Sequence, residues 1–140
     1  WTVDGVAVTN TTDTIPTADI ADDEVWECTI TPNDGTDDGI TNEASIIIEN
    51  TPPSNAQISI SPNTNVTTNT TLQCQASGTD IDNDPMSISY EWSNGSLILG
   101  TNNTITLTPS TSQPNETIQC QATISDGTDS ITTSTSSSAE

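Results

Sequence analysis

Four stretches of this chain alternate apolar and polar residues with a period of two, and this restricts the fold more than any other feature. Leu72, Cys74 and Ala76 are interleaved with Gln73 and Gln75; Ile88, Tyr90 and Trp92 with Ser89 and Glu91. Ile105 and Leu107 are interleaved with Thr104, Thr106 and Thr108; Ile118, Cys120, Ala122 and Ile124 with Gln119, Gln121 and Thr123. A strand points successive side chains to opposite faces, so each stretch offers one face for burial and one for water. Helix signals are nearly absent, and Thr, Ser, Asn and Ile dominate. The branched Cβ of Thr and Ile packs well on a pleated surface. Turn residues separate the runs at Asn83-Asp84-Pro85, Asn94-Gly95, Pro109, Gln113-Pro114-Asn115 and Asp126-Gly127. Regular short strands with such punctuation predict an all-β sandwich.

Charge narrows the partners. The 140 residues contain no Lys, Arg or His against 20 Asp and Glu. A basic patch for nucleic acid or anionic lipid therefore cannot form. Ion pairs require a terminus or a bound cation, so metal ions in the medium are the natural counterions. The chain also offers trypsin no site, which suits exposure outside the cell. No run of about 18 apolar residues is present, so no membrane-inserted helix is expected. No signal-type leader stands at Trp1, and the segment reads as a mature or excised portion.

The sequence repeats itself. Trp1-Thr-Val-Asp-Gly5 matches Trp92-Ser-Asn-Gly95, and Cys28 to Asp37 matches Cys120 to Asp129, 92 residues separating Cys28 from Cys120. Residues 54–140 read as one complete unit, 49–53 as a Pro-Pro linker that holds its neighbours extended, and 1–48 as the second half of a preceding unit. Half a sandwich exposes an apolar face and open edges. Residues 1–48 thus need strands from outside the segment, either from a longer tandem array or donated by a neighbouring subunit. Ile131 to Glu140 is either the last strand of its own domain or a donor.

The motifs Asp80-Ile-Asp-Asn-Asp-Pro85, Tyr90-Glu-Trp92, Asn94-Gly95, Asp126-Gly127 and Thr31-Pro-Asn-Asp-Gly35 followed by Asn50-Thr-Pro-Pro53 resemble the Ig-like and PKD-like tandem repeats of large bacterial and archaeal surface proteins. The resemblance implies an extracellular array, adhesin, surface layer or fibre, partnered by copies of itself or neighbouring repeats, and no catalysis. The order Cys74…Trp92…Cys120 is similar to that of Ig domains, where the cysteines bridge two sheets across a buried Trp. The resemblance therefore implies a Cys74–Cys120 disulfide; the alternative is a pair of buried thiols. Cys28 pairs upstream if its missing half belongs to the same array, and is otherwise free or bonded between subunits. One departure is that Ile118, and Trp26 in the first unit, stand where Ig domains place a bracing Tyr.

Three kinds of site remain. Asp80, Asp82 and Asp84 alternate in one loop and suit Ca²⁺, which takes six to eight oxygens, although the loop lacks the EF-hand's Gly and Glu. If the fold is Ig-like, Asp126 and Asp129 share that pole, and Glu49 in the linker completes a cation site stiffening the joint between modules. Solvated turn residues are the bland alternative. Six sequons, at Asn10, Asn65, Asn69, Asn94, Asn102 and Asn115, are candidates for glycan attachment, although chance alone predicts about four. The Ser/Thr-rich stretches 101–112 and 128–138 are candidates for O-linked sugar. Catalysis has little to work with: there is no His for a triad or zinc site and no Lys for a Schiff base. The expected function is a structural subunit or repeat of an extracellular fibre or surface assembly. The alternative is a carbohydrate- or cell-binding module of an adhesin, with Trp1, Tyr90 and Trp92 as a stacking platform.

Overall fold

The computed structural model describes residues 1–139 and is built of antiparallel strands. The chain divides into two compact units, Trp1–Thr51 and Pro52 onward. In the first unit, β1 (Thr2–Val3), β2 (Val6–Ala7), β3 (Val25–Ile30) and β4 (Asn42–Ile47) form one sheet in the order β2-β1-β3-β4. The β1–β2 turn is Asp4-Gly5, with φ of 50° and 77°. Positive φ at both positions is what a two-residue hairpin needs to match strand twist, and Asp-Gly supplies it. A single 3₁₀ turn, Thr17–Asp19, interrupts the loop before β3.

The second unit contains β5 (Ser54–Ser61), β6 (Thr71–Thr79), β7 (Ser87–Asn94), β8 (Leu97–Gly100), β9 (Thr104–Thr106), β10 (Thr117–Ser125) and β11 (Ser130–Ser138). They form a four-stranded sheet, β11-β10-β7-β8, and a three-stranded sheet, β5-β6-β9, an arrangement compatible with a β-sandwich. The alternating stretches read from sequence fall on β6, β7, β9 and β10. Residues 131–138 belong to β11, which pairs with β10 along its whole length.

Both sheets supply the core of this unit. Ile60, Leu72 and Cys74 come from β5 and β6, Trp92, Ile118 and Cys120 from β7 and β10, and Val66 and Leu107 from connecting segments. Trp92, Leu72, Leu107 and Ile118 are completely buried. The Trp92 indole does not leave its N–H stranded: it donates to the Asn102 carbonyl at 2.9 Å, as a buried donor must. Cys74 on β6 is bonded to Cys120 on β10, joining the two sheets with a Cα–Cα distance of 6.5 Å. A bridge closing a loop of 46 residues removes chain entropy from the unfolded state worth about 4 kcal/mol. That is substantial for a core with no Phe.

The sheet of the first unit repeats the four-stranded sheet of the second, residue pair by residue pair. Val3↔Val6 and Thr2↔Ala7 match Asn94↔Leu97 and Ser93↔Ile98. Val3↔Trp26 and Thr2↔Glu27 match Asn94↔Ile118 and Ser93↔Gln119. Every β3–β4 pair, from Val25↔Ile47 to Ile30↔Asn42, matches a β10–β11 pair, from Thr117↔Ser138 to Ala122↔Thr133.

The loops repeat as well. Glu24 accepts the Ala21 amide at 2.8 Å, as Glu116 accepts that of Gln113 at 2.7 Å. Asp34 accepts the Thr36 and Asp37 amides, as Asp126 accepts those of Thr128 and Asp129. The Trp1 indole donates to the Thr12 carbonyl at 2.9 Å, the counterpart of the Trp92 bond. Asp23 and Asn115 share a positive φ and equivalent backbone bonds, to Ile48 and Ala139.

Candidate functional site

The first unit has a single sheet, and among its described residues no strands correspond to β5 and β6. The consequence appears in the segment following Thr12. In the second unit the segment after Asn102 becomes β9, because β6 pairs with it through Leu72↔Ile105 and its neighbours. In the first unit the segment after Thr12 forms no strand.

Directly paired residues share a face of the sheet. Val3, Val6, Trp26, Cys28, Ile30, Ala44 and Ile46 therefore share one face, the counterpart of the face that carries Ile118, Cys120 and Ala122. One end of it is covered. Trp26 is buried, its indole donates to Glu24 Oε2 at 2.8 Å, and Trp1 meets it edge-on with ring centroids 6.5 Å apart. The rest is bare: Ile30, towards the end of β3, is 63% exposed and Ile46, beside Trp26 on the edge strand β4, 62%, whereas Ala122, in the register position of Ile30, is fully buried. Cys28, in the register position of Cys120, is a half-buried free thiol.

The acidic loop following β6 gathers its carboxylates. One oxygen from each of Asp80, Asp82 and Asp84 lies within 4.8 Å of the others. Asp80 Oδ1 accepts the Asp82 amide at 2.8 Å, and its Oδ2 is shielded from water without a hydrogen-bond partner. Asn83, at φ 65°, turns the chain between Asp82 and Asp84. With no Lys, Arg or His in the chain, the mutual repulsion, about 1 kcal/mol per pair even in water, has no cationic side chain to relieve it. Three carboxylate oxygens so gathered could hold a metal ion as part of its ligand set.

Of the other residues expected at this site, Asp126, Asp129 and Glu49 are not part of the gathered group. Asp126 has its own local task, accepting the Thr128 and Asp129 amides at 2.7 and 2.6 Å in the β10–β11 turn. Its counterpart Asp34 does the same, and those two backbone bonds, to Asp37 and then Thr36, hold its carboxyl below the ordinary value of 3.8.

The six sequons divide by environment. Asn65, Asn69, Asn102 and Asn115 are exposed. Asn94 is half-buried, and its amide nitrogen donates to Glu116 Oε2 at 2.6 Å and to the Thr111 carbonyl at 3.2 Å. A glycan on that nitrogen would take one of its two N–H donors, so only one of these bonds could remain. The Asn10 amide donates to the Thr14 carbonyl, and its Oδ1 accepts from Thr12, so this side chain shapes its own loop. The candidate stacking platform is not assembled: Trp92 is completely buried, and Tyr90 packs against the core.

Among the described residues, no helix is long and apolar enough to cross a membrane. Comparison with protein-family models, with characterised proteins and with solved structures gave no match.

Proposed function

We propose that the chain is a structural segment of an extracellular fibre or surface assembly, built from Ig-like β-sandwich modules in tandem. The observation that carries this reading is the repeated register: two units of one chain share a sheet, its turns and its capping carboxylates. Modules that recur in this way are the usual material of linear arrays, in which each repeat contacts its neighbours. Residues 49–53, with Pro52 and Pro53, serve as the extended joint. The Cys74–Cys120 bridge supports an oxidising compartment, where such bonds persist. A net charge of −20 keeps neighbouring modules apart and soluble, and makes contacts between them depend on cations. The role is mechanical rather than catalytic, since no His or Lys is present to serve as base or nucleophile.

Ca²⁺ is the cation this reading assigns to Asp80, Asp82 and Asp84. When bound, it would neutralise the gathered carboxylates and stiffen the β6–β7 loop. Titration should release heat and raise the melting temperature, by the equivalent of about 2.7 kcal/mol at a hundredfold excess over Kd. The Asp80→Asn/Asp84→Asn variant should lose both effects. A wild-type chain with neither heat nor stabilisation rejects the site. Sugar, on this reading, occupies Asn65, Asn69, Asn102 or Asn115, and an intact mass equal to the bare polypeptide rejects it.

Imaging of the native material tests the main proposal. Linear polymers with a module-sized axial repeat are the expected result. A discrete monomer that binds a glycan through exposed side chains would replace the structural reading with the adhesive one.

A further inference from the structure

We propose that the bare face of the first sheet seats a β-hairpin of the β5–β6 kind, carried by polypeptide that runs into β1 at Trp1, and that a cysteine on the hairpin's second strand bonds to Cys28.

The second unit shows what covers this face. There the face carrying Trp92, Ile118 and Cys120 is closed by β5 and β6, whose Ile60, Leu72 and Cys74 complete the core. Cys74 reaches Cys120 from β6. Cys28 holds the register of Cys120, since Cys28↔Ala44 corresponds to Cys120↔Thr135. The segment after Thr12 holds the place of β9, the strand that β6 pairs with on its far edge. An incoming second strand therefore finds a sulfur beneath it, as β6 does in the complete unit.

The direction of entry also follows from register. β7 runs from Ser87 to Asn94, and its Ser87–Glu91 portion pairs with Gln121–Ser125 of β10. β1 reproduces only the end of that strand, so β3 from Thr29 onward has a partner on its β4 side alone. The stretch joining such a hairpin to Trp1 would pair with β3 from Thr29 onward, as Ser87–Glu91 pairs with β10. The hairpin's chemistry is then specified: apolar residues at alternate positions facing Ile30 and Ile46, polar residues outward, and one inward cysteine. Bond formation converts two thiols to one disulfide. The two electrons and two protons pass to a disulfide-bearing oxidant, which leaves as two thiols.

The chain supplies its own probe. A second copy of Pro52–Glu91 is placed ahead of Trp1, so that its terminal Glu runs directly into Trp1, and the product is refolded in oxidised and reduced glutathione. Alkylation and peptide mapping should show loss of the free thiol at Cys28 and a bond from Cys28 to the added hairpin's cysteine. Cys28 alkylated in the folded product, or an added cysteine bonded elsewhere, overturns the proposal.

Should the extended chain fail to fold, a synthetic Pro52–Pro85 peptide offered to the unextended chain gives the second reading. A mixed disulfide at Cys28 with slowed amide exchange in β3 supports hairpin docking. A Cys28–Cys28 dimer formed in preference to it assigns the face to a second copy and overturns the proposal, as does no adduct at all. Polymer formation is read separately, so either result can fail while the other stands.

Discussion

Cys120 and Cys28 occupy the same register in two copies of one sheet, yet one is enclosed and bonded while the other is a half-buried thiol beside exposed isoleucines. The strands, turns and capping glutamates around them are equivalent. The difference is what covers them, namely the β5–β6 hairpin and the core it completes. Local sequence thus suffices to specify a sheet, its register and its turns. Burial of its apolar face is a separate requirement, met by strands remote from that sheet in the chain.

The largest effect that should separate the two units comes from the disulfide. Replacing Cys74 and Cys120 together by Ala should destabilise the second unit by about 4 kcal/mol and leave the first unchanged. Urea unfolding followed by NMR resolves the two units, and an equal loss in both would break the comparison. Next are paired truncations on the shared face. Ile118→Ala removes a fully buried side chain and should cost about 3 kcal/mol. Ile46→Ala removes an exposed one and should stay within about 0.5 kcal/mol. A large cost at Ile46 would mean that the face is already covered.

A smaller contrast lies in the capping glutamates. Glu116→Ala strands the half-buried Asn94 amide as well as the Gln113 amide and should cost about 2 kcal/mol. Glu24→Ala releases the Ala21 amide and the Trp26 indole, and should cost less wherever water can reach those donors. The smallest effect is that of pH on the Asp34 turn. Because the folded-state pKa is depressed, the turn's contribution is whole above the ordinary carboxylate value and is lost as pH falls below it through the lowered pKa. A carboxyl-carbon NMR titration should place the Asp34 midpoint below that of an exposed aspartate, and Asp34→Asn should abolish the response. A midpoint at the ordinary value would contradict the turn geometry.

The sequence made much of this visible, for physical reasons that also mark its limit. Alternation identified β6, β7, β9 and β10 because each has one buried face. β8 was not legible: Leu97, Ile98 and Leu99 run together without polar interruption, and two of the three are exposed at the sheet edge. The loop gathering Asp80, Asp82 and Asp84 could be read because its ligands are neighbours in sequence. The task of Asn94 could not, because its sequon is local whereas its acceptors, Thr111 and Glu116, meet it only in the fold. The pairing of Cys74 with Cys120 came from resemblance to a family, not from spacing alone. The bare face around Cys28 followed from the phase of the repeat.

Residue-resolved native-state amide exchange tests most directly the claim that the first unit is the second unit's sheet without its cover. It predicts slow exchange along β10 through Cys120 and Ala122, and markedly faster exchange at Cys28 and Ile30 of β3, with matching cross-strand bonds in both. Equal protection at the two sets of positions would contradict it.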